Sequence, residues 1–135
     1  MYLIDTNIWL ERLLEQEKSV DVAKFLTVVP VKEMIISDFS FHSIGIIMTK
    51  LKKESAFLLF IEDIFENANL SSISIGHNYM SELIDSMKKF DLDFDDAYQY
   101  TCAKNYNLDI VSYDKDLYKT DIKILTPKDV INKYS

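Results

Sequence analysis

The residues best suited to chemistry in this chain are carboxylates, and they are unevenly placed. Asp5 directly follows the apolar triplet Tyr2-Leu3-Ile4, and Asp114 and Asp116 follow the segment Asp109-Ile110-Val111-Ser112. Asp91, Asp93, Asp95 and Asp96 crowd together just ahead of a stretch with helical periodicity. Taken singly, each has an ordinary structural explanation. Asp5 can cap the helix that follows it, Asp95 or Asp96 can occupy a first helical turn where the dipole favours an acid, and Asp114 can hold a turn. Brought to one place, such acids repel one another and raise their pKa values unless a cation compensates. Oxygen donors of this kind suit Mg²⁺ or Mn²⁺, hard cations that keep several waters and approach phosphates. The matching chemistry is metal-assisted phosphodiester hydrolysis, in which metal activates water and stabilises the leaving oxygen.

The acids can meet only if the elements carrying them share an edge. Short apolar runs alternate with longer segments of helical period, the pattern of an α/β domain. Strands are expected at 2–4, 34–36, 73–75, 109–112 and 123–125. A first helix starting near Ile8 presents Trp9, Leu10, Leu13 and Leu14, and a second over 19–28 offers Val20, Ala23, Phe25 and Leu26 to the core before Pro30 stops it. Ser37 or Asp38 caps a third, running to about Lys53 and carrying Phe41, Ile44, Ile47, Met48 and Leu51. Further helices are expected over 55–67, 79–90 and 94–106, with a last one opened by Pro127. Strands separated by helices imply crossover connections, hence parallel pairing with both faces covered. The expected fold is a three-layer α/β sandwich around a mainly parallel central sheet of about five strands. In such sheets ligands bind beyond the carboxyl ends of the strands, where Asp5 and Asp114 lie.

Composition narrows the setting. With 135 residues, 48% of them hydrophobic, the chain makes one domain spanning 1–135. Its 22 acidic residues outnumber 15 basic ones, giving a formal charge of -7, which argues against a protein that coats nucleic acid nonspecifically. Cys102 is the only cysteine, so neither an internal disulfide nor a cysteine-rich zinc site can form, and a cytoplasmic location fits best. No signal peptide or membrane-spanning run is expected.

Three ordered motifs then stand out: Tyr2-Leu3-Ile4-Asp5-Thr6-Asn7-Ile8, Asp95-Asp96-Ala97 with Ala103 further along the same helix, and Ile110-Val111-Ser112-Tyr113-Asp114-Lys115-Asp116-Leu117. Their order and spacing resemble those of the PIN-domain family, metal-dependent ribonucleases that include the toxins of many toxin–antitoxin pairs. The resemblance covers essentially the whole chain. It implies Asp5, Asp96 and Asp114 as catalytic acids and ligands of Mg²⁺ or Mn²⁺, with Asp116 as an additional catalytic acid and Asn7 and Ser112 in support. It also implies an RNA substrate, an antitoxin protein as partner, and a homodimer, with no membrane association. One departure stands beside these matches. Such families usually carry a Glu early in the helix after the second strand, where this chain has Ser43, with His42 as the neighbouring group of metal-binding type. His42 and Ser43 therefore join the candidates for supporting roles.

A second reading follows from that departure: a catalytically weakened PIN-like module for RNA binding or assembly. A phosphoaspartyl phosphatase built on Asp5 would want a second Asp where Asn7 stands, and a receiver domain would want a lysine that no motif supplies. Lys50, Lys52, Lys53, Lys88 and Lys89 suit helix ends. The stripe Phe57, Leu58, Ile61, Ile64 and Phe65 suits either internal packing or a dimer surface.

Overall fold

The computed structural model describes residues 1–134. The chain runs β1 (Tyr2–Ile4), α1 (Thr6–Leu13), α2 (Ser19–Val28), β2 (Met34–Ser37), α3 (Asp38–Lys50), α4 (Glu54–Ile61), β3 (Ser71–Ile73), α5 (Met80–Phe90), α6 (Phe94–Tyr106), β4 (Asp109–Val111), β5 (Ile124–Leu125) and α7 (Pro127–Ile131). The strands form one sheet in the order β3-β2-β1-β4-β5, and every pairing is parallel. The expected three-layer α/β sandwich is therefore the observed one.

Strand periodicity sorts the core into two halves. Tyr2, Ile4, Met34, Ile36, Val111 and Leu125 face one buried cluster, which includes Ile8, Trp9, Val22, Phe25, Ile44 and Met48 of α1 to α3. Leu3, Ile35, Ile110 and Ile124 point the other way, into a cluster with Leu83 of α5 and Ala97, Cys102 and Ala103 of α6. Successive residues of one strand thus serve opposite layers, as a two-residue period requires. Helix α6 is buried over the whole run from Asp96 to Ala103, which is why its alanines and Cys102 are small.

Three details differ from the sequence expectation. Val20 is 80% exposed, and Val22 takes its place in the core, because α2 presents Val22, Phe25 and, beyond its end, Val29 along one side. The third strand is Ser71–Ile73, not 73–75. As an edge strand it pairs with β2 alone and is held by backbone bonds, so it needs no continuous apolar run. Helix α3 ends at Lys50, and the stretch expected over 55–67 divides into α4 and a π-helical segment, Glu62–Asn67. Among the described residues, no helix is long and apolar enough to cross a membrane.

Candidate active site

The sheet order places β1 at the centre, with β2 on one side and β4 on the other, so the order in which strands are added reverses between β1 and β4. A crevice opens at such a switch point. Asp5 leaves β1 there and caps α1, accepting the amide of Thr6 at 2.8 Å. Ser112 and Asp114 leave β4 beside it, and Asp114 caps the short turn that follows by accepting the amide of Asp116 at 2.9 Å. Asp96 arrives from the first turn of α6, whose cap is Asp93. Asp5, Asp96 and Asp114, together with Asp95, Asn7, Ser43 and Gln99, line one cavity of about 330 Å³. Leu10, Phe39, Ile46 and Ile47 supply the apolar part of its lining. A groove of equal volume elsewhere, about 330 Å³ between Trp9, Leu13, Leu26, Leu59 and Phe60, holds no such cluster of acids.

Asp5 is buried and saturated with donors. Its Oδ1 accepts from the Thr6 amide at 2.8 Å and from Gln99 Nε2 at 2.9 Å, while Oδ2 accepts from the Ser112 hydroxyl at 2.6 Å and from Asn7 Nδ2 at 3.2 Å. Those four bonds match the roughly four lone-pair directions a carboxylate offers. Ser112 also accepts the amide of Asp114 at 2.9 Å, tying the two acids together through one hydroxyl. Asn7 closes the other side by accepting the amide of Tyr113 at 3.1 Å. Burial pushes the Asp5 carboxyl up, with Ser112, Gln99 and Thr6 opposing that rise by hydrogen bonding and the charge of Asp114 adding to it.

The three acids nearest one another are Asp96, Asp114 and Asp116, each of which offers an oxygen within 4.8 Å of the others. Asp96 is pushed up to about 8, first by burial, then by a hydrogen bond to Asp114 and by the negative charge of Asp114, Asp93 and Asp5. Asp116 pairs with Lys119 at 3.5 Å, whereas among the described residues no ion pair reaches Asp5, Asp96 or Asp114. A cluster of hard oxygen donors that runs from buried Asp96 through half-buried Asp114 to exposed Asp116, with no ion pair on the first two among the described residues, is what a divalent cation would neutralise, so the residues present fit one. Strongly perturbed acids in a cleft are also what a functional site looks like electrostatically.

Of the residues expected at the site, Asp96 and Asp114 come together, and Asn7 and Ser112 both contact Asp5. Asp5 and His42 lie outside the tightest acidic group. The tight group of three contains Asp116, while Asp5 stands beside it with its lone pairs occupied by protein donors. His42 does not line the acidic cavity; it lies in a separate groove with Phe41, Gly45 and Phe57. One residue of helix turns the side chain by roughly 100°, so Ser43 faces the acids and His42 faces α4. Sequence reading missed Gln99, Ser40 and Thr6, which connect beneath Asp5. A signal for Gln99 existed: it stands three residues after Asp96, on the same side of a helix that otherwise carries small or aromatic residues there.

The PIN-domain family model matches residues 2–123. This chain belongs to the PIN-domain family. No curated protein sequence matches it. The PIN fold recurs in FitAB bound to an IR36 DNA fragment, with a TM-score of 0.81 at 15% identity, covering 94% of this chain and 95% of that one. A toxin–antitoxin complex from Klebsiella pneumoniae gives a TM-score of 0.73 at 16% identity over 94% of this chain and 98% of that one. Mycobacterium tuberculosis VapC20, described as a toxin that cleaves the sarcin-ricin loop, gives 0.76 at 9% identity over 90% and 96% of the two chains. At such identities the likeness establishes the fold, and what the PIN domain does here rests on its own residues.

Proposed function

We propose that this PIN domain is a divalent-metal-dependent endoribonuclease of the toxin type, hydrolysing phosphodiester bonds in RNA. The observation that carries the proposal is the convergence of Asp5, Asp96, Asp114 and Asp116 at the switch point of the sheet, three of them with oxygens within 4.8 Å of one another. Asp96, Asp114 and Asp116 hold Mg²⁺ or Mn²⁺ in this reading, and Asp5 completes the negative field behind them. When bound, such an ion supplies an activated water and stabilises charge on the leaving oxygen. The chain's own residues do the rest. Ser112 couples Asp5 to the backbone of Asp114, so the two acids keep one spacing. Asn7 locks the β4 exit loop through the amide of Tyr113. Leu10, Phe39, Ile46 and Ile47 give the cavity an apolar lining beside the acids.

The proposed partner is an antitoxin protein, a reading supported by structural neighbours from toxin–antitoxin complexes. A homodimer is proposed as well, because Leu58 and Leu59 on α4 are 64% and 58% exposed, an apolar pair that association would cover. Location in the cytoplasm fits a buried free thiol at Cys102. The competing reading, a catalytically weakened RNA-binding or assembly module, is favoured by a specific observation: Ser43 lines the cavity where related proteins usually place a Glu.

Cleavage of a panel of structured RNAs by highly purified protein, with Mg²⁺, with Mn²⁺ and with chelator, separates the two. The expected result is metal-dependent cutting by the wild type and none by Asp96→Asn or Asp114→Asn. RNA binding without cutting under every metal condition would favour the weakened module. Equal cutting by wild type and both variants would remove these carboxylates from the chemistry.

A further inference from the structure

The Gln99 carboxamide sits 2% exposed beneath the site, and every polar atom it carries is engaged. Its Oε1 accepts the hydroxyl of Ser37 at 2.7 Å, and its Nε2 donates to Asp5 Oδ1 at 2.9 Å and to Ser40 Oγ at 2.8 Å. Ser37 is itself fixed, because its Oγ caps α3 by accepting the amide of Ser40 at 3.0 Å. Ser40 in turn accepts the hydroxyl of Thr6 at 2.8 Å. One amide thus joins α6, the β2 to α3 junction and the β1 to α1 junction directly under Asp5.

The direction of that amide follows from its neighbours. A carboxylate only accepts, so the Gln99 nitrogen must face Asp5, and its oxygen then faces Ser37, which must donate. With both amide hydrogens committed, the carboxamide has one orientation. Asp5 Oδ1 is held by two donors, the Thr6 amide and Gln99, while the longest of the four bonds on this carboxylate, at 3.2 Å, is that from Asn7 to Oδ2. Oδ2 also accepts the shortest of the four, from the Ser112 hydroxyl at 2.6 Å, so the carboxylate is fixed from both ends.

We propose that Gln99 is a positioning residue for the acidic site: it pins Asp5 through Oδ1 and so orients the rest of that carboxylate toward the metal-binding acids. Hydrogen-bond partners that orient ligating or near-ligating carboxylates typically change metal affinity by about 10–100-fold when removed. This inference rests on the metal-dependent reading above. A merely structural Gln99 would affect stability and leave the Mn²⁺ affinity of the folded protein where it was.

The test is calorimetric titration of the folded chain with Mn²⁺, comparing wild type with Gln99→Met, which keeps the length and removes the bonds, and with Ser37→Ala, which removes the donor to the amide oxygen. RNA cleavage is measured alongside at saturating Mn²⁺. The expected result is Mn²⁺ affinity weakened about 10-fold or more in Gln99→Met and less in Ser37→Ala, with KM for RNA unchanged and kcat lowered. Should Gln99→Met lose its cooperative thermal transition, Ser37→Ala decides: weakened affinity supports the role and wild-type affinity overturns it. Wild-type affinity in a folded Gln99→Met also overturns it, while leaving the metal site intact. A wild type that takes up no Mn²⁺ overturns the metal reading itself, and this role with it, and is distinguished because the failure appears before any substitution is made.

Discussion

Asp96 is the residue on which the electrostatics of the site turn. It is 7% exposed, it faces Asp114 and Asp5, and its carboxyl is pushed up to about 8, chiefly by burial. A carboxyl raised in the folded state binds its proton more tightly there than in the unfolded chain. This term therefore favours folding at low pH and is lost as pH rises from the ordinary carboxyl range through about 8. In chelator, the thermal midpoint of the wild type should fall between about pH 5 and pH 8, and that of Asp96→Asn should fall less. Mn²⁺ should reverse the loss at neutral pH for the wild type, by about 2.7 kcal/mol at a hundredfold excess over Kd. A wild-type midpoint flat across this range and indifferent to Mn²⁺ would contradict a strained acidic cluster. Asp5 is pushed up by burial as well, but Ser112, Gln99 and Thr6 oppose that rise by hydrogen bonding to its ionised form. Its replacement by Asn would turn an amide donor toward groups that already donate to it, so Asp5→Asn should lose stability as well as activity, by about 1–3 kcal/mol.

The elements explain which parts of the site could be read from sequence. Asp5, Asp96 and Asp114 were legible because each stands where a strand ends or a helix begins, and local pattern marks such junctions. Gln99 left only its helical spacing from Asp96 as a local signal, because its partners Asp5, Ser37 and Ser40 are 94, 62 and 59 residues away. His42 and Ser43 show the narrow margin of a helical register, in which adjacent residues open onto different grooves. The edge strand Ser71–Ile73 escaped for the opposite reason: backbone pairing with β2 holds it, and its side chains are largely exposed. Helix α2 offers a direct check of the observed register. Val22→Ala should cost about 2 kcal/mol of unfolding free energy, because Val22 is fully buried. Val20→Ala should stay within about 0.5 kcal/mol, because Val20 faces water. Denaturant unfolding of the two variants measures both, and the reverse ranking would mean the helix is turned the other way.

At the scale of the whole molecule, a parallel sheet covered on both faces leaves one place where loops from neighbouring strands meet over a crevice, and the acids occupy it. The core clusters on either side hold that edge rigid, since Ile4 and Val111, the residues just before Asp5 and Ser112, are fully buried. A chain with a formal charge of -7 nonetheless concentrates acids at this crevice, a costly arrangement unless a cation is drawn to it. Anomalous diffraction from crystals equilibrated with saturating Mn²⁺ addresses that point directly. The expected result is a manganese peak among the carboxylates of Asp96, Asp114 and Asp116, absent from crystals of Asp96→Asn prepared in the same way. Crystals whose cluster stays free of anomalous density at saturating Mn²⁺ would contradict a metal-dependent site at this edge of the sheet.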